Sequence, residues 1–518
     1  MTQGNRVLIN TIASYGRSLV ALAFGLFSAR WVIQGLGKVD FGLYSLVGAT
    51  IAFVTTINAI LSGSVARYYA YELGMGMNKD LVQSQNTTCG WFNTALLLHV
   101  ILAFVVFVIG YPVGLVAVKY WLVIPPERIS ACLWVFSLAM ASSIMSVISA
   151  PYIAMFIATQ NILETSIWGV VSVFCTCGSA YSVLNYNGDR MCLYSTLLVG
   201  SSMIISLLMV LRARFRFKEC RIVGAELFDR KRIFSLLGFA GWQTYAAMGD
   251  MVRSQGNAFV INLGWGPTIN ASYAISNQVS GHASALSTAL QNAMTPAITL
   301  KAGARDKSAL MLYADASNKI GALLIAVFAV PLILEIDYVL RLWLGDVPEY
   351  AGVLCAATLV TLFIDKLAMG NVMAIIANGQ VGTYQFVSGT LSILSIVFVY
   401  LGVKIGATPI VIGLSFIILN VLKTVARLYF SKKLLEMSIL RWLSNVLLPI
   451  SFTCSVTICS CSIVRMSFGI EVSFLRTFLL SLCSLFTFTV VSWWIVLNDV
   501  ERKLIRNIGD NFRRKLLK

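Results

Sequence analysis

Val32-Ile33-Gln34-Gly35-Leu36-Gly37 is followed by Tyr44, twelve residues after Val32. The stretch recurs in outline as Val260-Ile261-Asn262-Leu263-Gly264, with Tyr273 thirteen residues after Val260. From Tyr44 to Arg67 is 23 residues, and from Tyr273 to Pro296 is again 23. Each stretch closes one long apolar segment and opens the next. Arg67 and Pro296 are both expected to end a helix on the cytoplasmic side. A basic run from Arg212 to Arg232 lies between the two copies and divides the first twelve apolar segments into six and six. Six segments per half start each half on the same face, so the halves are expected to be parallel repeats about an axis normal to the membrane.

Composition demands the membrane. The 518 residues are 58% hydrophobic and only 12% charged, with a mean hydropathy of +0.81. A soluble globular chain carries about 25% charged residues, so a cytosolic enzyme, a secreted domain and a disordered chain are excluded. A spanning helix needs about 20 mostly apolar residues. About fourteen such segments are read, near 9–33, 41–64, 88–110, 130–157, 163–185, 191–211, 235–262, 268–295, 317–336, 351–376, 384–402, 407–426, 443–464 and 474–497. The first is too long, and lacks the cleavage site, for a removed signal peptide.

The expected fold is therefore an all-α polytopic membrane protein. Its parts are a six-helix lobe over 1–214, a basic cytoplasmic linker over 215–234, a second six-helix lobe over 235–430, a helix pair over 431–498, and a tail over 499–518. Apolar residues recur at helical spacing in the tail, from Val500 to Leu517. It reads either as an amphipathic helix on membrane lipids or as a solvated end.

Net charge is +17, and its placement is topological. With the N-terminus inside, twenty-six Lys and Arg fall in inside connections, Lys319 and Arg427 among them, and eight fall outside. That bias orients both termini to the cytoplasm, and no nucleic-acid partner is needed to explain the charge. The eleven cysteines include no Cys-x-x-Cys, the nearest spacings being Cys175-Thr176-Cys177 and Cys459-Ser460-Cys461. They read as small buried residues. His99 and His282 are the whole histidine complement, so no metal site and no cofactor is expected.

An ionisable group inside a bilayer faces a cavity or a partner. Asn10, Arg17 and Ser28 share one face of the first segment, with Arg17 deep and expected to face a lumen. Arg30 lies near the outer end, where it binds substrate or snorkels to the interface. Thr55, Asn58 and Ser62 make a shorter polar face in the second segment. Gln243, Asp250 and Asn257 are seven apart in the seventh, with Arg253 placed to pair with Asp250. Asn270, Asn277, Ser284 and Gln291 repeat that spacing in the eighth, either lining water or packing helix on helix. In the tenth, Asp365 and Lys366 are adjacent and expected to point apart, and Asn371 and Asn378 continue a polar face.

Arg17, Arg30 and Arg67 in the first half, with Arg253 and Lys366 in the second, make the expected lumen basic. A basic lumen attracts an anion, and arginine's planar fork suits phosphate. Asn58, Asn277 and Gln291 suit a hydroxyl-rich cargo. A lipid pyrophosphate bearing a sugar chain meets both descriptions. Asp250 and Asp365 are candidate coupling sites for Na+ or H+, or else structural ion pairs. Outer connections are too short for the catalytic loop of a membrane glycosyltransferase or polymerase, so a transporter is favoured over an enzyme.

Arg6-Val7-Leu8-Ile9-Asn10-Thr11, then Arg30-Trp31-Val32-Ile33-Gln34-Gly35-Leu36-Gly37 running on through Asp40-Phe41-Gly42-Leu43-Tyr44, and Ser64-Val65-Ala66-Arg67-Tyr68 carry a resemblance. The chain resembles the polysaccharide flippases of the multidrug/oligosaccharidyl-lipid/polysaccharide exporter superfamily. That resemblance implies a fourteen-helix flippase that moves undecaprenyl-diphosphate-linked oligosaccharide across a bacterial inner membrane for O-antigen, capsule or exopolysaccharide. It implies a diphosphate-holding role for Arg17 and cation sites at Asp250 and Asp365. It further implies a lipid-sheltering role for 443–497, with a polysaccharide polymerase and chain-length machinery as partners. Drug exporters on the same fold are the alternative, but the first segment has no acid.

Overall fold

The computed structural model describes residues 3–76, 81–121, 124–345, 347–467, 473–498 and 502. Helices hold 90% of the structure, and no strand occurs among the described residues. The first helical run, Gln3–Gly76, is broken at Gly37, where φ 76 and ψ 170 leave the helical region. The break gives α1 (3–36) and α2 (38–76). In the second half Gly266, with φ +86, separates α7 (Arg230–Trp265) from α8 (Pro267–Gly303). Glycine takes a positive φ without the steric cost that a Cβ brings. Gly37 stands seven residues before Tyr44, and Gly266 seven before Tyr273, so the recurring stretch is a helix–glycine–helix corner in both halves. Arg67 and Pro296 do not end their helices. Both lie inside, because nothing in 68–76 or 297–303 breaks the backbone pattern.

The other long helices are α3 (Leu81–Val105, continuing through residue 121), α4 (Ile129–Ala158), α5 (Ile162–Ser182) and α6 (Arg190–Arg216), then α9 (Lys307–Leu334), α10 (Ala351–Lys366) and α11 (Met369–Asn378). After them come α12 (Gly382–Lys404), α13 (Ile410–Leu435), α14 (439–467) and α15 (Phe474–Val491). Every apolar segment read from the sequence falls on helix. Ten spans among the described residues are long and apolar enough to cross a membrane, or eleven if the bent pair α10–α11 counts as one. α2, α7 and α8 are not in that set, so the expected count of fourteen is not reached. The expected segment 351–376 is two helices meeting at 46°. The expected tail 499–518 lies outside the described residues except for Arg502.

The chain divides into two compact units. One comprises Val7–Gly241 with Thr299–Arg305; the other comprises Met1–Arg6, Trp242–Ile298 and Asp306–Lys518. In the first, Val47, Val65, Tyr69 and Phe92 are fully buried. In the second, Ile261, Val399 and Ile412 are.

The α1–α2 corner of the first unit is tied by charge. Arg128 donates from Nε to Asp40 Oδ1 at 2.9 Å and from Nη1 to Asp189 Oδ2 at 2.8 Å, with a second bond to Asp40. Arg190 Nη1 donates to Gly35 O at 3.1 Å. Asp189 also caps α6, accepting from the Met191 and Cys192 N–H groups at 3.1 Å each. Burial raises its titration point, but the Cys192 N–H and Arg128 outweigh this and hold the carboxyl below its usual value. A depressed carboxyl stabilises the fold above its unfolded pKa, near 4, and that contribution fades as pH falls through the folded value. Arg128→Ala is therefore expected to move acid unfolding of the first unit to higher pH, followed by tryptophan fluorescence. An unchanged acid midpoint would refute this role for the triad.

Candidate functional site: a cationic cavity in the second unit

A cavity of about 350 Å³ opens among α7, α8, α10, α12 and α13. Local periodicity aims these helices' polar residues inward. On α13, Asn420, Lys423 and Arg427 recur at i, i+3 and i+7, and all three line the cavity, sharing one helical face. On α12, Ser388, Ser392 and Ser395, at i, i+4 and i+7, also share one face and line the cavity.

The polar stripe of α7 is matched by α12. Gln243 accepts from Gln385, Asp250 Oδ1 accepts from Ser392 Oγ at 2.6 Å, and Asn257 Nδ2 donates to Ser395 Oγ at 2.9 Å. Tyr245 and Thr390 hydroxyls meet at 2.9 Å between them. Polar groups in an apolar surround are retained when they bond one another, and this ladder fixes the α7 register. On α8 the two readings of the stripe divide. Asn277 and Ser284 line the cavity, whereas Gln291 bonds Ser287 of its own helix at 3.3 Å.

Two ionic groups sit on the cavity wall. In the first, Arg427 donates from Nη2 to Asp365 Oδ1 at 2.6 Å and from Nη1 to the Asp365 carbonyl at 2.8 Å. Lys366 Nζ reaches Asp365 Oδ2 at 3.0 Å. The adjacent pair thus does not point apart. Lys366 is the last residue of α10, where the 46° bend releases the helical spacing that separates neighbours. Arg427 belongs to α13 and is 6% exposed, and Lys319 belongs to α9 and is 1% exposed. Neither is the connection residue expected from the charge tally. Both lie in helices whose polar faces turn inward, so their charge reports on the interior.

The second group is looser. Lys423 Nζ lies 3.2 Å from Asp250 Oδ1 and also donates to Ser392 Oγ. Arg253 Nε lies 3.9 Å from the same carboxylate oxygen, and its guanidinium is 5.6 Å from the centre of the Phe416 ring. The Asp250 side chain is 58% exposed, against 24% for Asp365. Arg253 Nε has no hydrogen-bond partner among the described residues. One carboxylate is saturated by two nearly buried cations, and the other is open to solvent. Arg253, Lys366, Lys423 and Arg427 face Asp250 and Asp365 across this space, an excess of two positive charges.

The structure thus brings together Asp250, Arg253, Asn277 and Asp365 of the expected set. Arg17, Arg30, Arg67 and Asn58 belong to the first unit. Arg17 is exposed, with its stem so close to Gly169 of α5 that a Cβ there would meet Arg17 Cδ at 2.4 Å. Asn10 and Ser28, which share its face, are buried, and Asn10 Nδ2 donates to the Gln160 carbonyl at 2.9 Å. Arg30 is exposed. Arg67 is buried among the rings of Tyr68, Tyr71 and Phe239, at 4.7, 5.4 and 4.8 Å. Asn58 Nδ2 donates to Ser146 Oγ at 3.3 Å. Asn371 does not continue a polar lumen face. It is buried and bonded to Asn318 and Ser431. Among the described residues, no three His, Cys, Asp or Glu side chains form a metal-holding group.

This fold is that of the MATE transporters of the MOP superfamily. A multidrug resistance MATE family transporter of the MOP superfamily, solved outward-facing, matches 84% of this chain and 97% of its own, with a TM-score of 0.71 and 13% identity. A MOP superfamily transporter from Pyrococcus furiosus, whose binding pocket is described as having reversed polarity suggesting a different function, matches 84% of this chain and 97% of its own (TM-score 0.68, 14% identity). A MATE protein solved in complex with MaL6 matches 85% of this chain and 100% of its own (TM-score 0.64, 14% identity). No family model and no curated protein sequence matches the chain.

Proposed function

We propose that this multi-pass membrane protein is a flippase for a lipid-linked, diphosphate-bearing oligosaccharide. The cargo is undecaprenyl-diphosphate-linked glycan, moved across a bacterial inner membrane by alternating access for surface polysaccharide assembly. The observation that carries the reading is the cavity's excess of two cations, set among serine, threonine and asparagine side chains. Guanidinium and ammonium donors take phosphate oxygens through charge-assisted bonds, and the hydroxyl and amide lining suits a sugar. Arg17 and Arg30, exposed on α1, supply further cations in the first unit. Both termini lie in the cytoplasm, and the polymerase and chain-length machinery receive the product. Asp250 is the carboxylate open enough for a coupling Na+ or H+ to compete for; Asp365 is already neutralised.

Export of organic cations is the second reading, favoured by the multidrug description of a structure sharing this fold. Pocket polarity separates the two readings, because a cation would enter against a net positive wall. The test is purified protein in vesicles. One arm follows transfer of a polyprenyl-diphosphate oligosaccharide between leaflets, and the other follows efflux of a fluorescent organic cation. Transfer of the glycolipid alone is expected. Cation efflux without glycolipid transfer would overturn the reading.

A further inference from the structure

The basic run between α6 and α7 is not a loose solvated linker. Asn93 of α3, which is 0% exposed, pins it from both sides. Asn93 Oδ1 accepts the Val223 N–H at 2.9 Å, and its Nδ2 donates to the Arg221 carbonyl at 2.9 Å. Phe217 and Cys220 insert into the core of the first unit. With the backbone held, the remaining side chains are committed outward.

What points outward is an unusual mixture. Arg212 and Arg216 share Glu164 at 2.9 and 2.8 Å, and Arg232 pairs with Glu226 and Asp229, three cations against three acids. Arg214, Lys218, Arg221, Arg230 and Lys231 are exposed and have no ion pair among the described residues. Interleaved with them are Phe215, Phe228, Phe234 and Ile222, exposed by 85, 75, 63 and 55%. A solvated linker has no use for three exposed phenylalanines. The segment starts at the end of α6, which is itself long and apolar enough to span a bilayer. The exposed rings are therefore at the level where hydrocarbon gives way to headgroups.

We propose that residues 214–234 form a fixed ledge that binds anionic phospholipid headgroups, with the free cations on the phosphates and the phenylalanines in the headgroup–acyl boundary. Aromatic rings and Arg or Lys at that depth are the combination an interfacial anchor uses. The charge matches one occupant, a negatively charged leaflet. The ledge fixes the first unit against that leaflet whatever the cargo is.

The test uses the full-length protein, delipidated in neutral detergent and titrated with phosphatidylglycerol or phosphatidylcholine. Bound lipid is counted by native mass spectrometry. Wild type is expected to retain phosphatidylglycerol in preference to phosphatidylcholine and to lose that preference at high salt. The variant R214Q/K218Q/R221Q/R230Q/K231Q is expected to bind phosphatidylglycerol at least about tenfold more weakly. The variant R214K/R221K/R230K keeps the charge and is expected to keep the preference. In phosphatidylglycerol vesicles, the tryptophan of F228W is expected to be quenched by lipid brominated near the headgroup. Full binding by a folded glutamine variant, no quenching of F228W, or displacement of the lipid by an acidic protein domain would each overturn the proposal.

Discussion

Arg427→Met is expected to destabilise the second unit by about 3–5 kcal/mol, the usual cost of stranding one member of a buried ion pair. Arg427 makes two bonds to Asp365, one to the carboxylate and one to the backbone carbonyl at the end of α10. Its side chain is 8% exposed, so water cannot replace it. Lys366 would remain as a single counter-charge at 3.0 Å. The carbonyl would lose its donor where the chain bends between α10 and α11, a corner also held by Trp442 Nε1 donating to the Leu367 carbonyl at 3.0 Å. The measurement is heat or denaturant unfolding in detergent, followed by intrinsic fluorescence. Asp365→Asn alone should cost a similar amount, because it leaves Arg427 buried without a carboxylate. The double change D365N/R427M should recover part of the loss, since it removes Arg427 as an unpaired charge while Lys366 still loses its carboxylate. A double variant as unstable as the sum of the two singles would show that the pair is not the link between α10 and α13.

How far the sequence alone reaches can be judged from these residues. The helical architecture was legible because a bilayer leaves its imprint in apolar runs, and each expected segment lies on helix. The glycine corner was legible as a repeat, though the reason for it, a left-handed residue at Gly37 and Gly266, is a backbone property that spacing only hints at. Asp250 and Arg253 were found because they stand four turns into an apolar stretch. Lys423 and Arg427 were passed over although Asn420, Lys423 and Arg427 lie at i, i+3 and i+7. The rule that assigns positive charge to inside loops claimed Arg427 for a connection. A polar periodicity test on the twelfth segment would have placed it inside. The Asp365–Lys366 contact was illegible, because the bend that permits it has no proline or glycine at 366–368 to announce it.

The two ionic groups on the cavity wall are built for different work, and Lys423 tests this. The Asp365 group is closed, its carboxylate held by two nearly buried cations. The Asp250 group is open, sharing Lys423 and Arg253 with solvent. On the proposed function, the phosphate of the cargo competes with Asp250 for these two cations, and the carboxylate can be re-solvated because it is already half exposed. Lys423→Ala is expected to leave folding intact and to lower glycolipid transfer by about 10- to 100-fold, the worth of a charge-assisted hydrogen bond of roughly 1.5–3 kcal/mol. Lys423→Glu cancels the cavity's positive excess and should abolish transfer. Asp250→Asn removes the competitor, so it should retain glycolipid binding while removing any dependence of transfer on Na+ or pH. The same leaflet-transfer assay reads all three. Wild-type transfer by Lys423→Glu, in protein that unfolds at the wild-type temperature, would mean that the cavity's charge does not select its cargo.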